Sequence, residues 1–445
     1  MFLSGKRVVV VGLGASGVAA AQLCVRRGAV TTGLDERPRD RLSAGALALE
    51  SLGVTLAAGS NDAADLAGAD VIVVSPGVPD FEALRAASRA GAAVIGEVEL
   101  ATACMMHACP IVAIGGTNGK STTTTLVAAL LEAAGLATFA GGNLGEPLAQ
   151  HTEERFDAVV LEVSSFQMER VATFRPRVAA LLNVTDDHLD RYSSFDDYAR
   201  AKGNCFARQQ PDDVAVVPLG DLLCLREAKR GRGRVVTFGP GGDVDVTADA
   251  ITDRVSGQSF SRAAIALQGG HNALNVTAAL ACVASFGVPR DVIARVLAEF
   301  RGLDHRMCLV AEKRGVRYYD DSKGTNVGAS VTAVLGAAEP RVVLIAGGRD
   351  KGGSYAPLVA AMRDKGRAVV VLGEAADALA NAFSTEMPLV RASSMDEAVL
   401  QAASLASPGD AVLLSPACSS FDMFRDYKHR GDAFAEAVRA LEGSP

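Results

Sequence analysis

A glycine-rich loop that ends in a lysine and a hydroxyl residue follows the apolar run at residues 111–114. Backbone N–H groups of such a loop cradle phosphates, the lysine neutralises them, and the hydroxyl reaches Mg²⁺. The spacing is one residue shorter than in G-x-x-x-x-G-K-[ST], because the first glycine of that motif would stand where Ile114 does. The loop predicts a nucleoside triphosphate site, and a chance glycine turn is a poor alternative. Its residues are Gly115, Gly116, Thr117, Asn118, Gly119, Lys120 and Ser121.

Three further residues with possible chemistry follow in the same part of the chain. Glu162 lies in the apolar run 158–163, so its carboxylate is expected at the phosphate end of a parallel sheet, where it would bind a metal. His188 follows the next apolar run, 178–184, but a single histidine is more often a surface or core group. Lys202 lies in helical sequence, and its type and position alone favour an ordinary solvated helix lysine.

A second glycine motif lies near the amino terminus. The run Arg7–Val11 leads into the pattern G-x-G-x-x-G, and Asp35 ends the next strand, about where a ribose-binding acid belongs. Taken alone, this motif predicts a nicotinamide cofactor. The glycines admit any phosphate, however, so another phosphorylated ligand is favoured, and a structural turn stays open. A turn at residues 75–77 is expected to face the same cleft. The motif glycines are Gly12, Gly14 and Gly17.

Three polar loops follow apolar runs in the last third of the chain, at residues 321–326, 346–353 and 414–422. Lysines occur in the first two loops and hydroxyl groups in the first and third. Loops at strand ends bind ligands, and lysines there pair with carboxylates. The three loops together predict a site for an anionic molecule.

The elements that position these loops are those of an α/β protein. The chain has 445 residues, 49% of them hydrophobic and 5% aromatic, with 45 Gly and no Trp, as Val-rich strands and Ala-rich helices produce. At ~100–200 residues per domain, three domains are the central expectation. We predict a Rossmann-like domain at 1–97, a central P-loop-type ATPase domain with a parallel sheet at 98–303, and a Rossmann-like domain at 304–445. The stretch 239–257 is the most hairpin-like.

Several classes of protein are disfavoured by composition. The formal net charge is −7 with no basic block, which argues against nucleic acid as a partner. The most apolar stretch, residues 100–114, is too short and too polar to span a bilayer. The amino terminus lacks the order of a signal peptide, so we expect a cytoplasmic protein. Its eight cysteines are scattered singly, which indicates reduced and mostly buried thiols.

With these residues in view, the sequence resembles the Mur ligases along essentially its whole length. The segment 414–424 looks like the members that add D-glutamate, and the D-N-P-R signature of the members that add diaminopimelate is missing. The resemblance rests on motifs in the family's order at residues 116–121, 161–167, 183–191, 270–275, 305–306 and 321–326.

The resemblance implies an ATP-dependent amide-bond ligase of peptidoglycan precursor synthesis, which serves cell-wall biogenesis, cell shape and cell division. It would join D-glutamate to UDP-N-acetylmuramoyl-L-alanine through an acyl phosphate, so the first domain would hold UDP and not NAD. The partners would be small molecules only, without nucleic acid or membrane, and the chain a monomer. The substrate-binding residues implied for the first two domains are Ala15, Ser16, Asp35, Ser75, Pro76, Gly77, Asn143 and Ser164.

The resemblance also implies the residues that hold ATP and two Mg²⁺ ions. Ser121 and Glu162 would bind the first ion. His188 and a carbamylated Lys202 would bind the second. Lys323 would lie near the transferring phosphate, and Lys120, Glu162, His188, Lys202 and Lys323 would form the catalytic set. The ATP-binding residues are Gly116, Thr117, Asn118, Gly119, Lys120, Ser121, Thr122, Asn272, Asn275, Arg306 and Asp321, and the D-glutamate residues are Thr325, Lys351, Ser420, Phe421 and Tyr427.

Two positions depart from the family pattern, and three other functions stay open. Asp304 precedes His305 where the family usually has Pro, and Tyr427 stands where Phe is common, which an apolar contact would tolerate. A nicotinamide oxidoreductase would leave the glycine loop at residues 116–121 without a role. A nucleotide switch that hydrolyses ATP without ligation lacks the N-K-x-D guanine signature. A sister ligase, another Mur or a folyl-polyglutamate type, is the nearest alternative.

Overall fold

The computed structural model describes residues 1–59, 66–187, 191–267, 269–350, 354–383 and 386–441. The predicted site residues His188 and Lys351 lie outside these ranges. The described chain forms three sheets and divides into two compact units. The first unit comprises residues 1–184, 196–266 and 273–300, and the second comprises 185–195, 267–272 and 301–445.

The first sheet has five parallel strands in the order β3-β2-β1-β4-β5. Its strands are β1 (Arg7–Val11), β2 (Val30–Asp35), β3 (Thr55–Ala58), β4 (Val71–Val74) and β5 (Ala93–Gly96). The helices of this part are α1 (Ala15–Arg26), α2 (Ala44–Leu47), α3 (Glu82–Arg89) and α4 (Glu97–Cys104). The strand order reverses at β1, next to β4, which is where such sheets bind ligands.

The turn between β1 and α1 requires glycine at Gly17. A Cβ atom there would lie 1.8 Å from the carbonyl oxygen of Gly12, so only glycine lets the helix begin this close to the strand. Four valines, 8–11, are buried in β1, while alanines 19–21 of α1 are fully buried against the sheet. Branched strand residues and small helix residues therefore pack the glycine turn against the strand ends.

The second sheet has nine strands in the order β14-β13-β12-β11-β10-β9-β6-β8-β7. All its pairs are parallel except β12–β13 and β13–β14, which confirms the expected hairpin character of the stretch 239–257. Its strands are β6 (Ile111–Gly115), β7 (Thr138–Gly142), β8 (Ala158–Glu162), β9 (Val178–Leu181), β10 (Val214–Pro218), β11 (Arg234–Phe238), β12 (Val244–Val246), β13 (Ala250–Asp253) and β14 (Gln258–Ser261). The helices are α5 (Lys120–Ala133), α6 (Ser165–Met168), α7 (Phe195–Gly203), α8 (Leu222–Ala228), α9 (Gly270–Val283) and α10 (Arg290–Glu299).

The third sheet has six strands in the order β15-β16-β20-β17-β18-β19, parallel except for the edge pair β15–β16. Its strands are β15 (Cys308–Lys313), β16 (Val316–Asp320), β17 (Val342–Gly347), β18 (Gly366–Leu372), β19 (Leu389–Arg391) and β20 (Ala411–Leu414). The helices are α11 (Val327–Gly336), α12 (Ala356–Lys365), α13 (Ala376–Phe383), α14 (Met395–Leu405) and α15 (Tyr427–Ala440). The predicted α/β class with parallel sheets is confirmed.

Two further expectations concern the chain as a whole. Within the described ranges, no helix combines the length and hydropathy that a bilayer span needs. All eight cysteines are free, and six of them are buried. The expectation of mostly buried thiols is therefore confirmed.

A buried glutamate at the start of α4 has a pH-dependent cost. Glu97 Oε1 accepts a hydrogen bond from Ala149 N at 2.8 Å, while Oε2 is buried without a partner among the described residues. Burial raises the pKa of the Glu97 carboxyl from 4.5 to about 7. The Glu97 carboxyl loses its proton at lower pH in the unfolded chain than in the folded chain. Its contribution to the free energy of unfolding is therefore most favourable below the unfolded pKa and falls as pH rises toward 7.

Glu97→Gln is expected to stabilise the protein at pH 8 by up to about 3 kcal/mol, because it removes a buried charge and keeps the acceptor for Ala149. At pH 5 the gain should be much smaller, since the wild-type carboxyl is then mostly protonated. Urea unfolding midpoints at the two pH values measure this difference. The control is Glu99→Gln. Both carboxylate oxygens of Glu99 accept backbone hydrogen bonds, Oε2 from Ala172 N and Phe174 N and Oε1 from Thr173 N, so replacing either oxygen by NH₂ should lower stability at both pH values. Equal midpoints for Glu97→Gln and wild type at pH 8 would contradict the prediction.

Candidate functional site

The glycine loop after β6 is hydrogen-bonded to the segment that follows β9. Thr117 N donates to Asn183 O at 3.0 Å, and Asn118 exchanges two hydrogen bonds with the Asn183 side chain, at 2.8 and 3.0 Å. Gly119 has φ +88°, and a Cβ atom there would lie 2.3 Å from Oδ1 of Asn275. Glycine is therefore required at this position, and Asn275 lies directly against the loop. The predicted strand 178–184 ends at Leu181, because Leu182 and Asn183 turn to support the loop.

Two lysines converge on this loop. Lys120 Nζ donates to Thr117 O at 2.9 Å, and Lys202 Nζ donates to Gly116 O at 2.8 Å. Lys202 is 4% exposed and lies 4.5 Å from the ring centroid of Tyr198, whose hydroxyl is 3.2 Å from Thr117 Oγ1. The interpretation of Lys202 as a solvated helix lysine is therefore wrong. Its long side chain is buried because α7 packs beside the loop, which the spacing along the chain does not reveal.

Glu162 ends β8 beside the start of the glycine loop, in register with Ile114. Its Oε1 accepts a hydrogen bond from Asn143 Nδ2 at 2.7 Å, and Asn143 N donates to the Glu162 carbonyl at 2.9 Å. Oε2 is buried and has no hydrogen-bond partner among the described residues. A buried carboxylate oxygen without a donor is suited to a cation.

Ser121 and Thr122, in the first turn of α5, are both buried. A serine hydroxyl and a carboxylate oxygen are hard donors of the kind that Mg²⁺ prefers, so Ser121 and Glu162 fit one such ion. In the part of the chain that the structure describes, no three His, Cys, Asp or Glu side chains form a metal cluster. The second predicted ion depends on His188, which lies outside that part.

A cavity of about 780 Å³ lies at the strand ends of the first sheet. Asn143 lines this cavity and also bonds Glu162, so one side chain connects the cavity to the carboxylate beside the phosphate loop. Seven of the eight predicted substrate residues of this region line the cavity: Ala15, Ser16, Asp35, Ser75, Pro76, Gly77 and Asn143.

Ser164, the eighth, is not among the residues that line the cavity. Its hydroxyl caps α6 by accepting from Gln167 N at 3.2 Å, and its own N–H donates to Gln167 Oε1 at 2.9 Å. This reciprocal pair is a capping box. The pattern Ser-x-x-Gln in the sequence already favours a cap over a ligand contact, and Gln167 lines the cavity instead.

Asp35 is bonded by the protein itself. Its carboxylate accepts from Leu13 N at 2.7 Å and from Arg37 Nε and a terminal guanidinium nitrogen of Arg37, both at 2.8 Å. Burial alone would raise the pKa of Asp35, but these hydrogen bonds outweigh it and hold the pKa at about 2. Asp35 therefore fixes the turn after β1 and orients Arg37, which also lines the cavity and which sequence reasoning missed.

The loops after β16 and β20 of the third sheet meet at a buried carboxyl. Asp321 Oδ2 accepts from Ser415 Oγ at 2.7 Å, and burial raises the pKa of Asp321 to about 6, although the charge of Arg306 and this hydrogen bond oppose the rise. Ser420 is buried, whereas the next residue, Phe421, is exposed. Thr325 is half-buried, and its N–H donates to Lys323 O at 2.9 Å.

A buried arginine that sequence reasoning missed joins the loops after β16, β17 and β20. Arg430, in α15, is 1% exposed, and burial lowers its pKa to about 10. It donates to Ser322 Oγ and O at 3.0 and 2.9 Å, to Cys418 O at 3.2 Å, and to Gly347 O at 3.4 Å. Its position three residues after Tyr427, on the same helix face, was the available signal.

Tyr427 contacts Lys323 through its hydroxyl. Lys323 Nζ donates to Tyr427 Oη at 3.2 Å and lies 4.5 Å from the ring centroid. Ser322 Oγ donates to Tyr427 O at 2.7 Å, so the same two segments are also joined through the backbone. The expected apolar contact for Tyr427 is therefore incomplete, because its hydroxyl accepts a hydrogen bond from the Lys323 ammonium.

Asn272, another predicted ATP-binding residue, is buried in α9.

Comparison with known proteins agrees with this arrangement. Three family models match in chain order: the Mur ligase MurD-like N-terminal domain at residues 6–96, the Mur ligase middle domain at 114–283, and the Mur ligase glutamate ligase domain at 305–418.

The chain belongs to the Mur ligase family.

Among the relatives of this Mur ligase, one from Anaeromyxobacter dehalogenans is 47% identical over 97% of each chain, and one from Syntrophotalea carbinolica is 44% identical over 99% of each chain. Both bear the name UDP-N-acetylmuramoylalanine--D-glutamate ligase. A crystal structure of a MurF ligase from Thermotoga maritima in complex with ADP is 18% identical, covers 99% of this chain and 96% of that chain, and has a TM-score of 0.61. That likeness shows a shared fold.

Proposed function

We infer that this Mur ligase uses ATP to add D-glutamate to UDP-N-acetylmuramoyl-L-alanine in peptidoglycan precursor synthesis. The observation that carries this is the full-length identity of 44–47% to ligases of that name. Because this activity needs three domains, the match of all three family models in chain order supports assigning the activity of these relatives to the chain. The nicotinamide interpretation of the glycine motif at residues 12–17 is set aside, since that motif lies within the MurD-like N-terminal match.

The first unit supplies two of the sites that the reaction needs. The cavity at the first sheet would hold the UDP-sugar substrate, with the glycine turns near its phosphates and Asn143 near its peptide end. The loop at residues 116–121 would hold the ATP phosphates. Asn143 supports this division because it lines the cavity and bonds Glu162 beside the loop.

The second unit would bind the incoming amino acid and help to hold ATP. Thr325, Ser420 and Phe421 come from the loops after β16 and β20, and Tyr427 begins α15, while Lys351 follows β17 in the sequence and lies outside the described residues. Lysine and hydroxyl groups there suit the two carboxylates of D-glutamate. Asn272, Arg306 and Asp321 of this unit and Asn275 of the first unit remain proposed ATP contacts, and Lys323 a proposed contact of the transferring phosphate. We propose domain bounds of 1–97, 98–303 and 304–445.

In the proposed mechanism the alanyl carboxylate attacks the γ-phosphorus of ATP in line, the bond from that phosphorus to the bridging oxygen breaks, and an acyl phosphate forms as ADP leaves. Lys120, whose ammonium donates to Thr117 O, would neutralise the charge that develops on the phosphate oxygens. A Mg²⁺ ion, held by Ser121 and Glu162, would supply further charge neutralisation at the same phosphate oxygens. The D-glutamate amine then attacks the acyl carbonyl, and phosphate leaves.

The remaining parts of the proposal concern the setting. A second Mg²⁺ shared by His188 and carbamylated Lys202 is proposed on the family resemblance, supported by the burial of Lys202 against the phosphate loop. A cytoplasmic, monomeric enzyme that acts on small molecules is proposed as well.

The decisive test is phosphate release from ATP in the presence of UDP-N-acetylmuramoyl-L-alanine. Release should require D-glutamate and should be absent with L-glutamate or with no amino acid. Lys120→Ala is the matched inactive control, because it removes the loop ammonium. Release without any amine would indicate a nucleotide switch, and release only with a different amino acid would indicate a sister ligase.

A further inference from the structure

A buried tyrosine hydroxyl joins two of the loops at the third sheet. Tyr355 is 8% exposed and lies directly before α12. Its Oη donates to Asp350 Oδ1 at 2.9 Å and lies 3.3 Å from Cys418 Sγ. Asp350 belongs to the loop after β17, and Cys418 belongs to the loop after β20. One side chain thus contacts both loops from the start of the following helix.

The backbones of the same two loops are already paired. Arg349 N donates to Ser419 O at 2.9 Å, Ser419 N donates to Arg349 O at 3.2 Å, and Gly347 N donates to Pro416 O at 2.9 Å. These bonds fix the loops up to residues 349 and 419. Beyond that point Tyr355 supplies a side-chain bond to Asp350, the residue that precedes Lys351 in the sequence.

The two hydrogen bonds of the Tyr355 hydroxyl form a chain in which Cys418 donates to Tyr355 and Tyr355 donates to Asp350. Cys418 is 1% exposed, and burial raises the pKa of its thiol to about 11, so the thiol stays protonated and donates to the Tyr355 oxygen. Burial also raises the pKa of Tyr355, so its phenol keeps its proton and donates to Asp350. A thiol, a phenol and a carboxylate in this order form a defined chain of hydrogen bonds.

We propose that Tyr355 is a positioning residue for the incoming amino acid, which acts by holding Asp350 against the loop that carries Ser420. The inference rests on the proposed function, in which Lys351 and Ser420 bind D-glutamate. In this role Tyr355 acts through Asp350 and not by contact with the substrate. A hydrogen bond to a charged group fixes the end of the paired loop, and small displacements of binding residues weaken binding strongly.

The test is Tyr355→Phe, which removes the hydroxyl and keeps the ring. The KM for D-glutamate should rise about tenfold, while the KM values for ATP and the UDP-sugar substrate should stay within about twofold. The matched control is Tyr319→Phe. Tyr319 donates to buried Glu339 at 2.9 Å, and Glu339 precedes β17, whereas Asp350 follows it. This control loses the same type of bond, so its thermal midpoint should fall while the KM for D-glutamate stays unchanged.

A double-mutant cycle separates action through Asp350 from a general structural effect. In an Asp350→Ala background, Tyr355→Phe should change the KM for D-glutamate by less than about twofold. Equal increases for all three substrates, or a full tenfold effect in that background, would overturn the proposal. Wild-type enzyme that fails to ligate D-glutamate would overturn the proposed function instead, so the two failures are distinguishable.

Discussion

Glu162→Gln is expected to reduce ligase turnover by at least about 100-fold while the protein stays folded. The change removes the negative charge of a carboxyl whose Oε2 is buried without a partner among the described residues. Asn143 Nδ2 donates to Oε1, so glutamine keeps its amide oxygen at Asn143 and directs its NH₂ toward the position of Oε2. An NH₂ group there would repel a cation where the carboxylate oxygen would bind it.

Turnover is measured by phosphate release across a Mg²⁺ titration, with thermal unfolding as the check on folding. Glu97→Gln is a matched control, because Glu97 is also a buried glutamate with one oxygen lacking a partner among the described residues. It lies at the start of α4, so its neutralisation should leave turnover within about twofold. Near-normal turnover of Glu162→Gln at saturating Mg²⁺ would show that this carboxylate does not bind the ion.

Lys202→Ala is expected to lower turnover on the order of 100-fold, and a small carboxylic acid in solution should partly restore it. A carbamylated lysine ends in a carboxylate-like group, which acetate imitates in the space that the truncated side chain leaves. The buried Lys202 side chain, packed against Tyr198 and Gly116, provides such a space.

Rescue by a small amine is the contrasting outcome. Ethylamine would replace the ammonium that donates to Gly116 O, so restoration by the amine and not by acetate would show that unmodified lysine is the working form. Lys120→Ala is the control, since acetate should not restore a missing cation at a phosphate site.

How much of this site the sequence predicts depends on whether the signal is local. The loop at residues 116–121 is predictable because glycines, lysine and hydroxyl are adjacent and follow a strand. The same reasoning places Glu162 at a strand end and finds the polar loops of the third sheet. It also gives the α/β class, because apolar runs of strand length alternate with Ala-rich segments.

The features that sequence reasoning missed depend on contacts between distant segments. Lys202 is buried against Tyr198 and against the loop at Gly116, which lies 86 positions away in the sequence. In the sequence Arg430 looks like any other helix cation. In the fold its guanidinium is buried because it donates to carbonyl oxygens of Ser322, Gly347 and Cys418. The Tyr427 hydroxyl has a partner only because α15 begins beside Lys323. Tertiary packing, and not residue type, decides these roles.

Both lysines at the phosphate loop already donate to its carbonyl oxygens, Lys120 to Thr117 and Lys202 to Gly116. Because an ammonium carries three N–H donors, Lys120 can donate to a phosphate oxygen while it still donates to Thr117 O, so nucleotide binding adds a contact between an ammonium that is already oriented and an anion. The gain then comes from charge, which ions in solution screen at exposed sites. Nucleotide affinity should therefore fall with ionic strength more steeply than a simple count of hydrogen bonds would suggest.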